Sequence, residues 1–346
     1  MMKLYLILAL VVTFLSAEVR TQVIMGTYVS IDVEKFHKEA FKRISAVDLY
    51  LSSYNTQSEI YKLNKLRKYE VSDFVLGKIV YSKRLYDLTD GYFQLTIGNI
   101  THDICRFGID ERIPNKEELE HATTGWDNVH QEGNKIELLK SVKLDFGGIG
   151  KGIAVDEAVL VLKDLGIKEG IVSASGDMHC IGLCSVGIQN PFKEDVLVTF
   201  SSKKKDLSIS TSGNYRRFIK SKEFNHLFNP KTKSSQKVFA SVTLISYESN
   251  AYIDALATAI SVMPLEKALS FLEKHKELGY LLVTTDLKLI FGNLESFVTH
   301  DIKYNEIDRD EKKYLKDQKT YPFDYGKEGK VSYKQITAGK IGYRAQ

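Results

Sequence analysis

The most chemically suggestive part of the sequence is a glycine-rich stretch at residues 144–156. Four glycines fall within residues 147–152, after an apolar lead-in and before an apolar-periodic run. Glycine lets the backbone turn tightly and approach a ligand closely, and the start of a helix offers unpaired N–H groups. Because Asp145 and Lys151 stand in the same stretch, we expect a phosphate or nucleotide site here. A simple strand-to-helix turn is the alternative.

This stretch fits neither of two common nucleotide-binding glycine motifs. A Walker A loop requires Ser or Thr directly after its Gly-Lys pair, and Gly152 stands there. The dinucleotide-binding pattern G-x-G-x-x-G, begun at Gly148, requires a glycine where Ile153 stands. The glycine pattern alone therefore leaves the class of ligand open.

A second candidate is the pair Asp254 and Thr258, which lie four residues apart in an alanine-rich run. On a helix, that spacing places both side chains on one face, one turn apart. A carboxylate and a hydroxyl are hard oxygen ligands of the kind that Mg²⁺ prefers, with water and phosphate oxygens completing its shell. The alternative is that Asp254 caps the helix or pairs with an arginine.

Three polar turns could contribute to the same site. His226 lies in a polar turn that continues to Asn229 and Pro230, so it is a candidate base or phosphate contact. The other two turns offer hydroxyl and N–H donors suited to recognition of a nucleotide. They consist of Ser175, Gly176 and Asp177, and of Thr211, Ser212 and Gly213.

The periodicity predicts strands and helices interleaved along the chain, which indicates an α+β fold with mixed, largely antiparallel sheets and packed helices. Helices are predicted at 37–51, 72–88, 153–165, 250–263 and 265–278. Strands are predicted at 20–34 with an interruption at 25–27, and at 92–97, 135–144, 171–174, 186–189, 196–200, 207–211 and 240–246. A hairpin is predicted at 280–291, turning at Asp286.

The chain has 346 residues with a formal net charge of +4, which gives no indication of nucleic-acid binding. Lys3, an apolar run at 4–15 and a small residue at Ala17 are typical of a secretory signal peptide at residues 1–17. The run is short for a hydrocarbon core of about 30 Å; an uncleaved anchor or a buried strand is the alternative. No cysteine follows the run, so lipoprotein processing is not indicated.

The rest of the chain divides into a body at 18–300 and a Lys-, Asp- and Tyr-rich extension at 301–346. The chain contains three cysteines, Cys105, Cys180 and Cys184. Export would allow a disulfide between two of them. We expect buried or incidental cysteines in preference to a bridge or a metal site.

Taken together and in this order, the motifs resemble the ApbE-type flavin transferases, which attach FMN to proteins using FAD. The resemblance spans roughly residues 22–292. Its residues are Met25, Gly26 and Thr27; Tyr54, Ser58, Glu59 and Asn64; Asp145 through Gly152 with Ala154 and Asp156; the turns at 175–177 and 211–213; His226 through Thr232; and Asp254 through Ala259.

The resemblance implies an ApbE-like, T-fold-related body and an Mg²⁺-dependent FAD:protein FMN transferase. FMN would pass from FAD to a Thr or Ser hydroxyl of an exported or membrane flavoprotein, releasing AMP. His226, Asp254 and Thr258 would be catalytic, and the Gly148 carbonyl, Asp254 and Thr258 would bind the metal. The implied flavin-nucleotide contacts are Met25, Thr27, Tyr54, Tyr92, Phe93, Gln94, Asp145, Lys151, Ser175, Gly176, Asp177, Thr211, Ser212 and His226.

The resemblance also implies a bacterial periplasmic location, either soluble or loosely associated with the inner membrane. Three positions depart from the family pattern. Gln94 replaces an acid, Ser175 replaces a glycine, and Lys233 ends a turn that the family closes with glycine. These departures keep two alternatives open, an FAD-binding protein without transfer activity and an FAD pyrophosphatase.

Overall fold

A computed structural model describes residues 18–193, 195–214, 219, 224–305 and 344–345. The predicted signal peptide at 1–17 and most of the predicted extension at 301–346 lie outside the described residues. The helices are α1 (His37–Leu51), α2 (Glu59–Leu66), α3 (Asp73–Leu88), α4 (Lys116–His121), α5 (Gly150–Asp164), α6 (Asn250–Ser261) and α7 (Leu265–Lys274).

The strands form four sheets. They are β1 (Glu18–Ile24), β2 (Thr27–Val33), β3 (Lys68–Glu70), β4 (Val129–Glu132), β5 (Lys135–Leu138), β6 (Ile171–Ala174), β7 (Asp177–Cys180), β8 (Cys184–Gln189), β9 (Val196–Ser201), β10 (Leu207–Gly213), β11 (Phe228–Asn229), β12 (Ser234–Ser235), β13 (Phe239–Ser246), β14 (Gly279–Thr284), β15 (Leu289–Gly292), β16 (Lys303–Tyr304) and β17 (Arg344–Ala345).

The central sheet has eight strands in the order β1-β2-β6-β7-β10-β13-β14-β15, each antiparallel to its neighbours. Smaller sheets have the orders β16-β9-β8-β17, β3-β5-β4 and β11-β12. Every residue of β13 is buried, because helices cover one face of the central sheet and β8 and β9 pack on the other. Burial on both faces explains why β13 directs apolar side chains into both layers.

The helices that cover the sheet follow the predicted apolar spacing. Helix α1 buries Ala40, Phe41, Ile44 and Val47, and it packs on α5, which in turn packs on α6. Ser72 caps α3 by accepting a hydrogen bond from the Val75 amide. The α+β class and the five predicted helices are confirmed, with ends shifted by a few residues.

The prediction of a strand at 92–97 is wrong. This segment is irregular and ends in a 3₁₀ turn at Leu95–Ile97, followed by a π-helical segment at Asn99–Ile104. The Phe93 amide donates to Thr89 Oγ1 (3.0 Å) and the Gln94 side chain accepts from Thr96. These local side-chain bonds replace the ladder hydrogen bonds of a strand.

The expectation of unbridged cysteines is wrong for Cys180 and Cys184. Cys180 ends β7, Cys184 begins β8, and the two form a disulfide that links the central sheet to the four-stranded one. Cys105 is the free cysteine, and burial raises its pKa to about 12, so its thiol stays protonated. No helix in the part of the chain that the structure describes is long and apolar enough to cross a membrane.

Candidate active site

Lys151 pairs with two carboxylates that come from different elements. Its Nζ lies 2.9 Å from Asp177 Oδ2 and 3.3 Å from Asp254 Oδ1. Lys151 belongs to the first turn of α5, Asp177 begins β7, and Asp254 lies in α6. The site therefore forms where two helices meet the central sheet.

Both carboxylates are almost completely removed from solvent. The exposed fraction is 0% for Asp177 and 1% for Asp254, while the Lys151 side chain is 29% exposed. A buried carboxylate is costly unless it is paired and hydrogen-bonded. Ser210 Oγ donates to Asp177 Oδ1 (2.5 Å), and the Gly152 amide donates to Asp254 Oδ2 (3.0 Å).

The electrostatics of this group follow from burial. Burial and the neighbouring Asp254 carboxylate raise the pKa of Asp177, against the opposing effect of Lys151. Burial alone would lower the pKa of Lys151, but the two carboxylates outweigh it and raise that pKa. Lys151 therefore stays charged, and two carboxylates share one ammonium group.

Gly148 and Thr258 meet beside this group. Thr258 Oγ1 donates to the Gly148 carbonyl (3.2 Å), and Ser212 Oγ lies 3.5 Å from the same hydroxyl. A Cβ at Gly148 would lie 2.9 Å from Thr258 Cγ2. Only glycine therefore permits this approach of the loop carbonyl to α6.

The three residues predicted to hold a metal are thus neighbours, although no cluster of three or more His, Cys, Asp or Glu side chains suited to a metal occurs among the described residues. Their donors are a carboxylate, a hydroxyl and a backbone carbonyl, all hard oxygen ligands. Two buried carboxylates beside one ammonium also favour the uptake of a further positive charge, since burial and Asp254 raise the pKa of Asp177. The donor set and the paired carboxylates both fit a small divalent cation.

Helices α5 and α6 pack closely against each other next to the site. A Cβ at Gly152 would lie 2.5 Å from the Asn250 carbonyl oxygen, so the helices can approach this closely only at a glycine. The Asp156 carboxylate accepts from the amides of Asn250 (2.7 Å) and Ala251 (2.9 Å) at the start of α6. Burial raises the pKa of Asp156 to about 6. The motif residue Asp156 thus anchors α6.

Asp145, predicted to contact FAD, is engaged by protein donors. Thr101 Oγ1 donates to Oδ2 (2.6 Å), the Gly147 amide donates to Oδ1 (2.8 Å), and His102 Nε2 lies 3.4 Å from Oδ2. The His102 ring also packs edge-on against Tyr54, with centroids 4.9 Å apart. These contacts join three separate chain segments.

The three implied flavin contacts at 92–94 differ in their surroundings. Phe93 is 2% exposed and packs in the main core, which does not favour a contact of its side chain with the flavin; that contact stays a prediction. The Tyr92 ring lies under Lys231 and Lys267, whose Nζ atoms are 4.6 and 5.0 Å from its centroid. The Gln94 side chain accepts a hydrogen bond from Thr96 Oγ1 (2.8 Å).

The remaining turns line up at the ends of adjacent central strands. Met25 has φ 57° at the turn before Thr27, and its Cε lies 3.5 Å from a Cβ built on Gly150. Ser175, which replaces the family glycine, also has positive φ (57°). The Gly176 carbonyl accepts from the Thr211 amide (2.9 Å). Thr211 Oγ1 contacts Thr243 Oγ1 (2.9 Å).

The His226 turn is anchored to the end of α6. Asn229 Nδ2 donates to the Val262 carbonyl (2.8 Å), directly after α6. Lys233 has φ 49°, as its replacement of glycine predicts, and its Nζ donates to the carbonyls of Glu120 and Ala122 (both 2.8 Å). The altered turn therefore caps the C-terminal end of α4.

Two residues that contact predicted site residues, His102 and Ser210, were not predicted from the sequence. His102 lies in a segment without period, and a lone histidine there carries no motif signal. Ser210 directly precedes the predicted turn at 211–213, and the alternation of β10 could have placed it on the Asp177 side. The structure brings together Gly148, Lys151, Asp177, Ser210, Ser212, Asp254 and Thr258.

The chain is similar in sequence to proteins of known name. A protein named FAD:protein FMN transferase from Vibrio cholerae is 27% identical over 273 residues, covering 74% of this chain and 81% of that protein. One of the same name from Haemophilus influenzae is 26% identical over 288 residues, covering 76% and 83%.

The fold is also similar to that of solved structures. The ApbE protein of Thermotoga maritima superposes with a TM-score of 0.74 at 26% identity, covering 81% of this chain and 98% of that one. The flavin transferase ApbE from Vibrio cholerae gives 0.69 at 26% identity, covering 81% and 99%. The model of the ApbE family matches residues 25–282, well over half of the sequence. The chain therefore belongs to the ApbE family.

Proposed function

We propose that the protein is an Mg²⁺-dependent FAD:protein FMN transferase. The observation that carries the proposal is the Lys151 ammonium between the buried Asp177 and Asp254 carboxylates, next to the Gly148 carbonyl and Thr258. A charged lysine beside hard oxygen ligands suits a pyrophosphate and its metal. Relatives named FAD:protein FMN transferase support the choice of FAD as the substrate.

Asp254, Thr258 and the Gly148 carbonyl would hold Mg²⁺, the group that neutralises charge on the pyrophosphate. Lys151 would add a second positive charge there, since its pairing with two acids keeps it protonated. Met25, Thr27, Tyr54, Gln94, Ser175, Gly176, Thr211 and Ser212 would contact the nucleotide, and Asp145 would act close to it.

The transfer is a displacement at phosphorus. The hydroxyl oxygen of an acceptor Thr or Ser forms a bond to the phosphorus on the riboflavin side of FAD, and the bond to the bridging oxygen breaks. AMP leaves with that electron pair. His226 would accept the hydroxyl proton or orient the nucleophile. Lys151 stabilises the charge that accumulates on the departing phosphate.

We also propose that the protein is exported to a bacterial periplasm. The apolar run at 4–15 after Lys3 and the small residue at Ala17 support this location. Its acceptors would then be exported flavoproteins or the exposed parts of membrane redox complexes.

One observation favours a second candidate function, an FAD-binding protein without transfer. Lys233 replaces the family glycine and its ammonium is committed to α4, so the His226 turn differs from the family pattern. An FAD pyrophosphatase is the third candidate, because water in place of the acceptor hydroxyl would release FMN and AMP at the same site.

The experiment combines FAD and Mg²⁺ with and without a flavin-acceptor domain, and it follows both AMP and in-gel flavin fluorescence. A transferase forms a fluorescent acceptor and releases AMP only when the acceptor is present. AMP release at the same rate without acceptor, and without adduct, would identify a pyrophosphatase. Bound FAD with neither product would identify a binding protein.

A further inference from the structure

His102 is a buried histidine that connects two predicted flavin contacts. Its side chain is 8% exposed and lies in the π-helical segment Asn99–Ile104. On one side, its Nε2 lies 3.4 Å from Asp145 Oδ2. On the other, its ring meets the Tyr54 ring at 75°, with centroids 4.9 Å apart. The histidine therefore stands between an acid and an aromatic side chain.

The acid in this arrangement is rigidly held. Thr101 Oγ1 and the Gly147 amide occupy the two oxygens of Asp145 at 2.6 and 2.8 Å. Burial opposes its ionisation, but His102, Thr101 and the Gly147 amide outweigh burial and lower the pKa of Asp145. The carboxylate is thus a permanent negative charge with a fixed orientation toward His102.

The aromatic partner lies on a loop tied to the same place. Tyr54 is 43% exposed. Asn64 accepts from the Leu144 amide and donates to the Leu144 carbonyl, both at 2.8 Å, and Ser53 Oγ also donates to that carbonyl. The Leu144 backbone, directly before Asp145, therefore holds the loop that carries Tyr54, and the Tyr54 ring lies edge-on against His102.

We propose that His102 is a positioning residue for the flavin site, which rests on the proposed function. Asp145 holds the imidazole, and the imidazole holds the Tyr54 ring with one face toward the isoalloxazine of FAD. Aromatic rings attract one another in such edge-on geometry. A ring fixed in advance loses less conformational entropy on binding than a mobile one, so His102 increases affinity for FAD through Tyr54.

The test is a double-mutant cycle on FAD binding, measured by quenching of flavin fluorescence without added Mg²⁺, so that FAD is not consumed. We expect His102→Gln and Tyr54→Ala each to raise the dissociation constant, by about fivefold and about tenfold. Because His102 acts through Tyr54, the double variant should bind about as weakly as Tyr54→Ala alone. Quenching of bound flavin should also fall in His102→Gln.

A product of the two single effects, about 50-fold, would overturn the proposal, as would unchanged binding in His102→Gln. His102→Phe provides a second variant that keeps a ring and removes the nitrogen near Asp145; wild-type affinity in it would also count against the role of Asp145. The exposed His130→Gln is the matched control and should bind as wild type.

The cycle is independent of the transferase assay. Wild-type protein that binds FAD but forms no adduct contradicts the proposed transfer function and leaves the binding cycle fully readable. Wild-type protein that binds no FAD either with or without Mg²⁺ overturns both proposals.

Discussion

At the residue scale, Asp254 serves both the fold and the site. One oxygen accepts the Gly152 amide, and both lie within 3.4 Å of the Lys151 ammonium. Asp254 also lies one turn before Thr258 on α6, and the Thr258 hydroxyl donates to the Gly148 carbonyl. Removal of the Asp254 carboxylate should therefore weaken the proposed binding of Mg²⁺ more than the binding of FAD.

We expect Asp254→Ala to reduce Mg²⁺-dependent FMN transfer by about 10²–10³-fold, the usual cost of losing a charge-stabilising group. FAD binding should only weaken, because the turns at 175–177 and 211–213 remain. Initial transfer rates and FAD dissociation constants measure the two effects. Asp164→Ala, at the exposed end of α5, is the control. Unchanged transfer in Asp254→Ala would refute the metal site.

The second prediction concerns the close approach of α5 and α6. Gly152→Ala places a Cβ 2.5 Å from the Asn250 carbonyl oxygen, and the resulting overpacking should lower the free energy of unfolding by about 1–3 kcal/mol. Urea denaturation measures it. Gly77→Ala is the matched control, since nothing lies within 4 Å of its Cβ in α3, and it should stabilise by up to about 1 kcal/mol. Equal stability of both variants would contradict the packing argument.

At the element scale, α5, α6 and the hairpin of β1 and β2 follow directly from local patterns. Each signal lies within or beside the element that it predicts. Apolar spacing marks the helices, Ser72 marks the start of α3, and the Met25-Gly26 turn separates β1 from β2. The strand predicted at 92–97 is wrong because this segment is held by side-chain hydrogen bonds with Thr89 and Thr96 and leads into a π-helical turn. Such irregular backbone has no period to detect.

The same limit applies to the candidate site. The sequence predicted Gly148, Lys151, Asp254 and Thr258 as participants, but not that Lys151 joins Asp177 to Asp254. Asp254 lies 103 residues from Lys151. Pairings at that separation depend on how helices pack on the sheet, and no local pattern encodes them.

The third prediction belongs to the turn that ends at Lys233. Lys233→Ala removes two hydrogen bonds to α4 and keeps the unfavourable positive φ, so it should destabilise the protein by about 1–2 kcal/mol. Lys233→Gly removes the same bonds but relieves the backbone penalty. It should therefore be less destabilising than Lys233→Ala in thermal denaturation. The reverse order would show that backbone strain at 233 is negligible.

At the scale of the whole molecule, the central sheet is covered on both faces, and the site lies where α5 and α6 cross β7 and β10. The opposite face carries the disulfide between Cys180 and Cys184, which joins the two sheets. His179 lies between these two regions. It is buried against Ser208, with its Nδ1 at 3.0 Å from that hydroxyl.

The fourth prediction is a pH dependence of stability. Burial lowers the pKa of His179 from 6.5 to about 4, so the unfolded chain binds a proton between these values that the folded chain does not. The contribution of His179 to the free energy of unfolding is fully present above pH 6.5 and is lost as the pH drops toward 4, about 3 kcal/mol for this one group. Urea denaturation from pH 7.5 to 4 should show a shallower loss in His179→Gln than in wild type.

The exposed His130→Gln is the control and should keep the wild-type pH slope, because it leaves the buried His179 in place. If His179→Gln lost stability with acid as steeply as wild type, His179 would not be the buried neutral group described.

Mass spectrometry of a flavin-acceptor protein after incubation with FAD and Mg²⁺ tests the central claim most directly. We predict one covalent FMN on a Thr or Ser of the acceptor with wild-type protein, and none with Asp254→Ala or when Mg²⁺ is removed by a chelator. An unmodified acceptor in the presence of wild-type protein that demonstrably binds FAD, across several acceptors, would contradict it.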